Sequence, residues 1–191
     1  MSVKVLCFAG ANRAASYNKQ LARAAHASLV TAGAEATLLD LRDYPLPLYD
    51  GDLEAAEGVP ENALRLKALF KAHQALLIAA PEYNSSITPL LKNTLDWISR
   101  EHQGESGRVP YAGKVAALVA ASTGNLGGLR GLFHVRQILT TLGVLVLPDQ
   151  LALGKAHEAF DDTGRLQDAR QQAALENIAQ KLVAVTAKLA T

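Results

Sequence analysis

Six residues near the start, Val3 to Phe8, all apolar but Lys4, form a run that breaks into small and polar residues, Ala9 to Asn18, before helical spacing begins. An apolar run of this length, followed by alternating strand and helix patterns, predicts a central parallel strand buried on both faces. The loop behind it has telling contents. Gly10 allows a sharp turn, Arg13 carries a planar fork of donors, and Ser16 and Asn18 set short polar side chains beside the amides of a helix start. That combination suits a phosphate monoester. It suits as well a Ser16 that only caps the helix and an Arg13 that is a solvated surface charge. Two familiar phosphate signatures are missing: there is no GxxxxGK[ST], and the loop has a single glycine where GxGxxG requires more. This argues against a nucleoside triphosphatase and a standard dinucleotide-binding dehydrogenase.

The rest of the chain alternates in the same way. Asn18 to Thr31 carries Leu21, Ala22, Ala25, Leu29 and Val30 at helical spacing and stops at Gly33. Ala36 to Leu41 predicts a second strand. Arg42 to Gly51, with Pro45, Pro47 and the Asp50-Gly51 pair, is a surface connection. It serves either as a proline-stiffened scaffold or as a flap that brings Leu46, Leu48 and Tyr49 to a pocket; scaffold is the expectation. Pro60 starts the next helix, and Ala75 to Ala80 is the third strand. At its end Pro81 stops pairing, and Glu82, Tyr83, Asn84 and Ser85 crowd polar groups at the carboxyl end of a parallel strand, where open α/β sheets bind ligands. Tyr83 is expected as a wall of such a site, whereas Trp97, in the helix from Pro89 to Arg100, is expected to be packing.

Lys114 to Ala121 is a fourth strand, and it opens into Ser122, Thr123, Gly124, Asn125, Leu126, Gly127 and Gly128, where backbone amides can approach a ligand closely. A helix from Gly128 to Leu142, a short strand from Val144 to Leu147, a turn at Asp161, Asp162 and Gly164, and a helix from Leu166 to Leu189 complete the reading. With no repeat or linker, residues 1–191 are expected to form one domain.

Composition narrows the function. Apolar residues make up 49% of the chain, enough for a substantial core, and 19 basic against 18 acidic residues leave no field for nucleic acid or an anionic membrane. The single Cys7 lies inside the first strand and is expected to be a buried, inert thiol. The start MSVKV carries no charged segment leading a long apolar one, and no apolar run reaches about 18 residues, so neither a leader nor a membrane span is expected and a cytoplasmic place is the default. The five histidines are scattered without HxxxH or HExxH spacing, and no GxSxG elbow exists, so neither a metal centre nor a serine hydrolase is supported. Polar residues gathered from three strand ends look like binding groups for a cofactor that carries the chemistry.

At these residues the chain resembles the NAD(P)H-dependent FMN reductases of the flavodoxin-like superfamily, which include quinone, chromate and azo-dye reductases. A first signature, G-S-x-R-x-x-S-x-N, stands as Gly10 to Asn18. A second, P-E-Y-N-x-S followed by P-x-x-L-K-N-x-x-D-W, stands as Pro81 to Ser86 and Pro89 to Trp97. A third, a strand-end serine before a glycine-rich turn and an H-x-R-Q segment, stands as Ser122 to Gly128 and His134 to Gln137. The resemblance implies a flavodoxin-like three-layer α/β sandwich with a five-stranded parallel sheet in the order 2-1-3-4-5 and helices on both faces.

It further implies an FMN-dependent enzyme that takes hydride from NAD(P)H and passes it to quinone-type or other small electron acceptors in a ping-pong cycle. The alternatives are a reductase of free FMN and a flavin-binding electron carrier without turnover. Arg13, Ser16 and Asn18, with amides from Ala11 to Asn18 including Tyr17, would hold the FMN phosphate. Pro81, Glu82, Tyr83, Asn84 and Ser85 would line the ring and ribityl region, and Ser122, Thr123 and Gly124 would meet the pyrimidine end. No general acid or base is implied. Two departures stand out: Ala11 replaces a serine, and Ser85 stands where relatives often carry tyrosine. By the same resemblance the protein is a homodimer or homotetramer, with the helix from Pro89 to Arg100 and the segment Leu129 to Gln137 in contact, where Leu95, Trp97, Leu132 and Phe133 are candidates for burial.

Overall fold

In the computed structural model, which describes residues 2–189, the chain runs β1 (Lys4–Ala9), α1 (Tyr17–Thr31), β2 (Glu35–Leu39), α2 (Gly51–Glu57), α3 (Glu61–Ala72), β3 (Ala75–Ala79), the short strands β4 (Glu82–Tyr83) and β5 (Ser86–Ile87), α4 (Pro89–Ile98), β6 (Val115–Ala121), α5 (Leu129–Thr141), β7 (Leu145–Leu153) and α6 (Ala169–Leu189). Met1, Ala190 and Thr191, which the expected single domain also takes in, lie outside the described residues.

Alternation along the central strands builds a core on each side of one sheet. Val5, Cys7, Leu77 and Val119 pack with Leu21, Ala25 and Leu29 of α1 and Leu175, Ile178 and Leu182 of α6. Leu6, Phe8, Leu76, Ile78 and Leu118 face the other way, onto Leu66 and Phe70 of α3, Leu91 and Leu95 of α4, and Leu132 and Val135 of α5. A strand covered on both faces has no polar face to show, which is why β1 beyond Lys4, β3 and β6 read as unbroken apolar runs. The five strands are all parallel in the order β2-β1-β3-β6-β7, the expected 2-1-3-4-5 once the separate β4–β5 hairpin is set aside. This is the flavodoxin-like arrangement.

Among the boundaries that differ from expectation, three have a clear cause or extent. β2 stops at Leu39, because the Asp40 carboxylate accepts from Arg42 N at 3.0 Å and starts a 3-10 turn over Leu41–Asp43. The last parallel strand runs nine residues, not four: its pairing with β6 slips around Ala117, and Pro148, which has no N–H to give, sits in that irregularity of an edge strand. α6 begins at Ala169, three residues after Leu166.

The 42–50 connection is scaffold. Trp97 Nε1 and Asn93 Nδ2 both donate to Pro47 O at 2.8 Å, Asn93 Oδ1 accepts from Tyr49 N at 2.8 Å, and the Tyr49 and Trp97 rings meet edge to face with centroids 5.0 Å apart. Asn93 and Trp97 lie one turn apart on α4, so a single helix face clamps the loop. Trp97 is fully buried, as packing requires.

Candidate active site at the strand ends

The loop after β1 delivers an exposed helix start. Gly10 N donates to Ala79 O at 2.9 Å and Thr88 Oγ1 donates to Gly10 O at 2.8 Å, so the turn is tied to both β3 and the start of α4. A Cβ on residue 10 would sit 2.9 Å from Leu91 Cβ, so the close approach demands glycine. Thr88 Oγ1 also accepts from Leu91 N at 3.2 Å, capping α4 ahead of Pro89.

At α1 the first helical bond is Gln20 N to Ser16 O, 3.1 Å, so the N–H groups of Tyr17, Asn18 and Lys19 precede any carbonyl of their own helix. Ser16 takes the N-cap position with extended backbone but makes no capping bond through its hydroxyl, and no acidic residue stands in the first turn. The capping alternative is therefore set aside. Arg13 is exposed, its guanidinium 5.8 Å from the centre of the Tyr17 ring, and Ala11 is buried in the core on the α1 side.

The Asn18 side chain does something the sequence did not suggest. It is 4% exposed; its Nδ2 donates to Ala121 O at 2.8 Å, and its Oδ1 accepts from Ala121 N at 2.9 Å. Expected as a side-chain ligand, Asn18 has its carbonyl and one of its two amide hydrogens committed to the end of β6, which leaves the second Nδ2 hydrogen and the backbone N–H as donors for an anion.

Beyond β3, the residues expected as loop form a hairpin. Tyr83 pairs with Ser86 and Glu82 with Ile87, around a two-residue turn in which Asn84 (φ 50°) and Ser85 (φ 66°) are both left-handed. Two positive φ values define the tight hairpin turn that follows strand twist. Tyr83 is 58% exposed at this edge.

Glu82 points elsewhere. Its carboxylate accepts from Arg130 Nε at 2.8 Å, from a second Arg130 nitrogen, and from Gly131 N at 3.1 Å, in the first turn of α5. Burial works against its charge, but the bonds from Arg130 and Gly131 outweigh that and hold its pKa below the ordinary carboxylate value. The Glu82 carboxylate is thus held at the helix start, while the residue itself stands in the hairpin at the strand end. One turn on, His134 Nδ1 and Ser86 Oγ lie 2.8 Å apart, so Arg130 and His134 stitch the hairpin to α5 from one helix face. Neither contact had a local signal in the sequence, the partners being 48 residues apart.

The loop after β6 is held from the other side. Ser122 N donates to Leu153 O at 3.0 Å, Ser122 O accepts from Ala156 N at 3.0 Å, and Ser122 Oγ accepts from Gly124 N at 3.3 Å. A Cβ at Gly128 (φ 90°) would lie 2.8 Å from Ala120 Cβ and 3.7 Å from Glu82 Cβ, which puts this loop against the hairpin. Ser122 and Thr123 thus share a rim with Arg13, Ser16 and Tyr83, at the carboxyl ends of β1, β3 and β6. Here the chain leaves β1 for one face of the sheet and β3 for the other, the switch point at which open sheets bind ligands.

Elsewhere burial pushes the Cys7 thiol far up and its Sγ lies 3.3 Å from Ala22 O, so it is inert. No group of three or more His, Cys, Asp or Glu among the described residues could hold a metal ion, and no described helix is long and apolar enough to cross a membrane.

Residues 3–158 match the family model described as NADPH-dependent FMN reductase. The chain is 38% identical over 184 residues to an NAD(P)H-dependent FMN reductase of Pseudomonas aeruginosa, covering 96% of this chain and 93% of that relative. It is 31% identical over 185 residues to a quinone reductase of Escherichia coli, covering 95% and 93%. Among solved structures, the flavoenzyme NAD(P)H:(acceptor) oxidoreductase of Paracoccus denitrificans superposes with a TM-score of 0.83 at 28% identity, over 97% of this chain and 98% of that one.

Proposed function

The chain belongs to the NADPH-dependent FMN reductase family, and from that premise we propose an enzyme that carries FMN at the rim of β1, β3 and β6, draws on NAD(P)H, and reduces quinone-type or other small acceptors. The observation that carries the reading is the open start of α1: three amides in search of an acceptor, a Ser16 hydroxyl spent on no cap, and Arg13 beside them. These groups fit a phosphate monoester, since an anion at a helix start gains both the amide bonds and the favourable end of the helix dipole.

In this reading Arg13, Ser16 and the amides from Ala11 to Asn18 hold the phosphate. Pro81, Tyr83, Asn84 and Ser85 border the ring, and Ser122, Thr123 and Gly124 meet its pyrimidine end. FMN bound there supplies the capacity to take up hydride and release electrons. The protein's share is orientation, with donor and acceptor using one place in turn, so that the kinetics are ping-pong. Glu82 sets where the hairpin stands and takes no proton. Residues 1–191 are assigned to one reductase domain in the cytoplasm, as a homodimer or homotetramer. For the contact, Phe133 on α5, 57% exposed, is the candidate that survives, since Leu95, Trp97 and Leu132 are buried within the protomer.

The visible spectrum of purified protein under anaerobic NADPH, and separately NADH, tests this. A yellow protein bleached by either nucleotide and recoloured by a quinone is expected. A yellow protein that neither bleaches overturns the reductase in favour of an electron carrier, and a colourless one that saturates in free FMN makes flavin its substrate.

A further inference from the structure

We infer that Asn18 is a positioning residue, whose side chain sets the distance between the phosphate-binding helix start and the loop at the pyrimidine end of the flavin; this rests on the flavin reading above. The geometry at the end of β6 explains why a carboxamide is needed. Along β6 the residues that face β3 give and take ladder bonds, as when Ala80 N donates to Val119 O at 2.8 Å. Two residues further, Ala121 faces the same way, but β3 has ended at Ala79 and Pro81 leads into the hairpin. The N–H and C=O of Ala121, in a residue 5% exposed, are therefore left without a strand to pair with.

The Asn18 amide takes the missing strand's place. It presents one donor and one acceptor side by side, as a peptide group does, and bonds both groups of Ala121 at 2.8 and 2.9 Å across 103 residues of sequence. No other side chain of that length offers the pair: aspartate lacks the donor, leucine lacks both, and glutamine adds a methylene. The consequence reaches both ends of the site. Asn18 is the second residue of α1, so the open amides at the helix start are bolted directly to the residue before Ser122. The two loops that grip opposite ends of a flavin move as one piece, and the ligand does not bear the cost of bringing them to the right separation.

A phosphate ligand and a positioning residue differ in which flavins they affect. Dissociation constants for FMN and riboflavin are to be measured on wild type, Asn18→Ala and Arg13→Ala. The expectation for Asn18→Ala is a loss of about tenfold or more for FMN, which both loops grip, and a smaller loss of about threefold or more for riboflavin, which only the loosened loop at Ser122 grips. For Arg13→Ala the FMN constant rises by a similar factor and the riboflavin constant does not. At saturating FMN the visible bands of the bound flavin shift in Asn18→Ala and stay in place in Trp97→Phe, whose loss of stability lies away from both loops.

Loss of FMN affinity alone in Asn18→Ala, or no change for either flavin, overturns the inference. Should Asn18→Ala fail to fold, the through-hydrogen-bond NMR coupling between Asn18 Nδ2 and the Ala121 carbonyl carbon decides in wild-type protein: it persists when FMN is added if Asn18 is a positioning residue, and vanishes if the side chain turns to the phosphate. Wild-type protein that binds neither flavin while showing the coupling refutes the flavin reading, and this inference falls with it. That outcome is distinct from a wild type that binds FMN beside an Asn18→Ala that binds it equally well.

Discussion

Replacing Glu82 by glutamine separates a residue that builds the site from one that touches a ligand. Its side chain is 8% exposed and receives two bonds from Arg130 and one from Gly131 N at the start of α5. Hydrogen bonds to a charged group contribute about 1.5–3 kcal/mol, and a negative charge at a helix start adds about 0.3–1 kcal/mol. Glutamine keeps one acceptor, and Arg130 is half exposed, where ion pairing contributes little. The expected loss for Glu82→Gln is therefore about 2 kcal/mol near neutral pH.

Its pH dependence has a definite sign. The folded pKa of Glu82 is lowered, so the folded state binds fewer protons than the unfolded chain in the interval between the two pKa values. The stabilisation is complete above the unfolded carboxylate value and is lost as pH falls through the folded one. Glutamine does not titrate. The difference between wild type and Glu82→Gln, taken from urea unfolding, is then full at neutral pH and shrinks as the solution is acidified below the ordinary carboxylate range. A difference that stays constant or grows on acidification refutes the argument, and so does one below about 0.5 kcal/mol at neutral pH.

Four further substitutions test other joints of the site and of the scaffold around it. Arg13→Ala should weaken FMN by about 1.5–3 kcal/mol, read by fluorescence titration, with little change in thermal stability, since the side chain is exposed. Thr88→Val removes both the cap of α4 and the buried bond to Gly10 O, and should cost about 1–3 kcal/mol in urea unfolding. Trp97→Phe leaves Pro47 O with the Asn93 bond alone and should cost about 1–3 kcal/mol while speeding amide exchange at Tyr49. Ser85→Gly relieves a left-handed serine and should raise stability by up to about 1 kcal/mol, seen as a higher melting temperature.

Periodicity marked the buried strands and the helices between them, and the family resemblance supplied the three layers and the strand order. Runs such as Val5 to Ala9 and Val115 to Ala121 must be covered on both faces, helical stripes must cover them, and right-handed crossovers then leave few sheet orders. The positions of Gly10, Arg13, Ser16 and Tyr83 at strand ends were legible for the same reason, because a loop's place follows from the strand it leaves. The β4–β5 hairpin was not legible, since its turn rests on Asn84 and Ser85 in place of the glycine that usually announces one.

Side-chain roles divide along the same line. A residue's type shows what it can bond, and Asn18 and Glu82 look like ligand groups in any list of motif residues. Which partner each takes depends on contacts made across the fold: Ala121 lies 103 residues from Asn18, and Arg130 lies 48 from Glu82. Sequence by itself determined the sandwich, the strand ends that carry the site and the family. Only tertiary structure decided that Asn18 completes a truncated strand ladder and that Glu82 caps a helix, because a buried polar group is assigned by whichever unsatisfied partner the packed chain brings within reach.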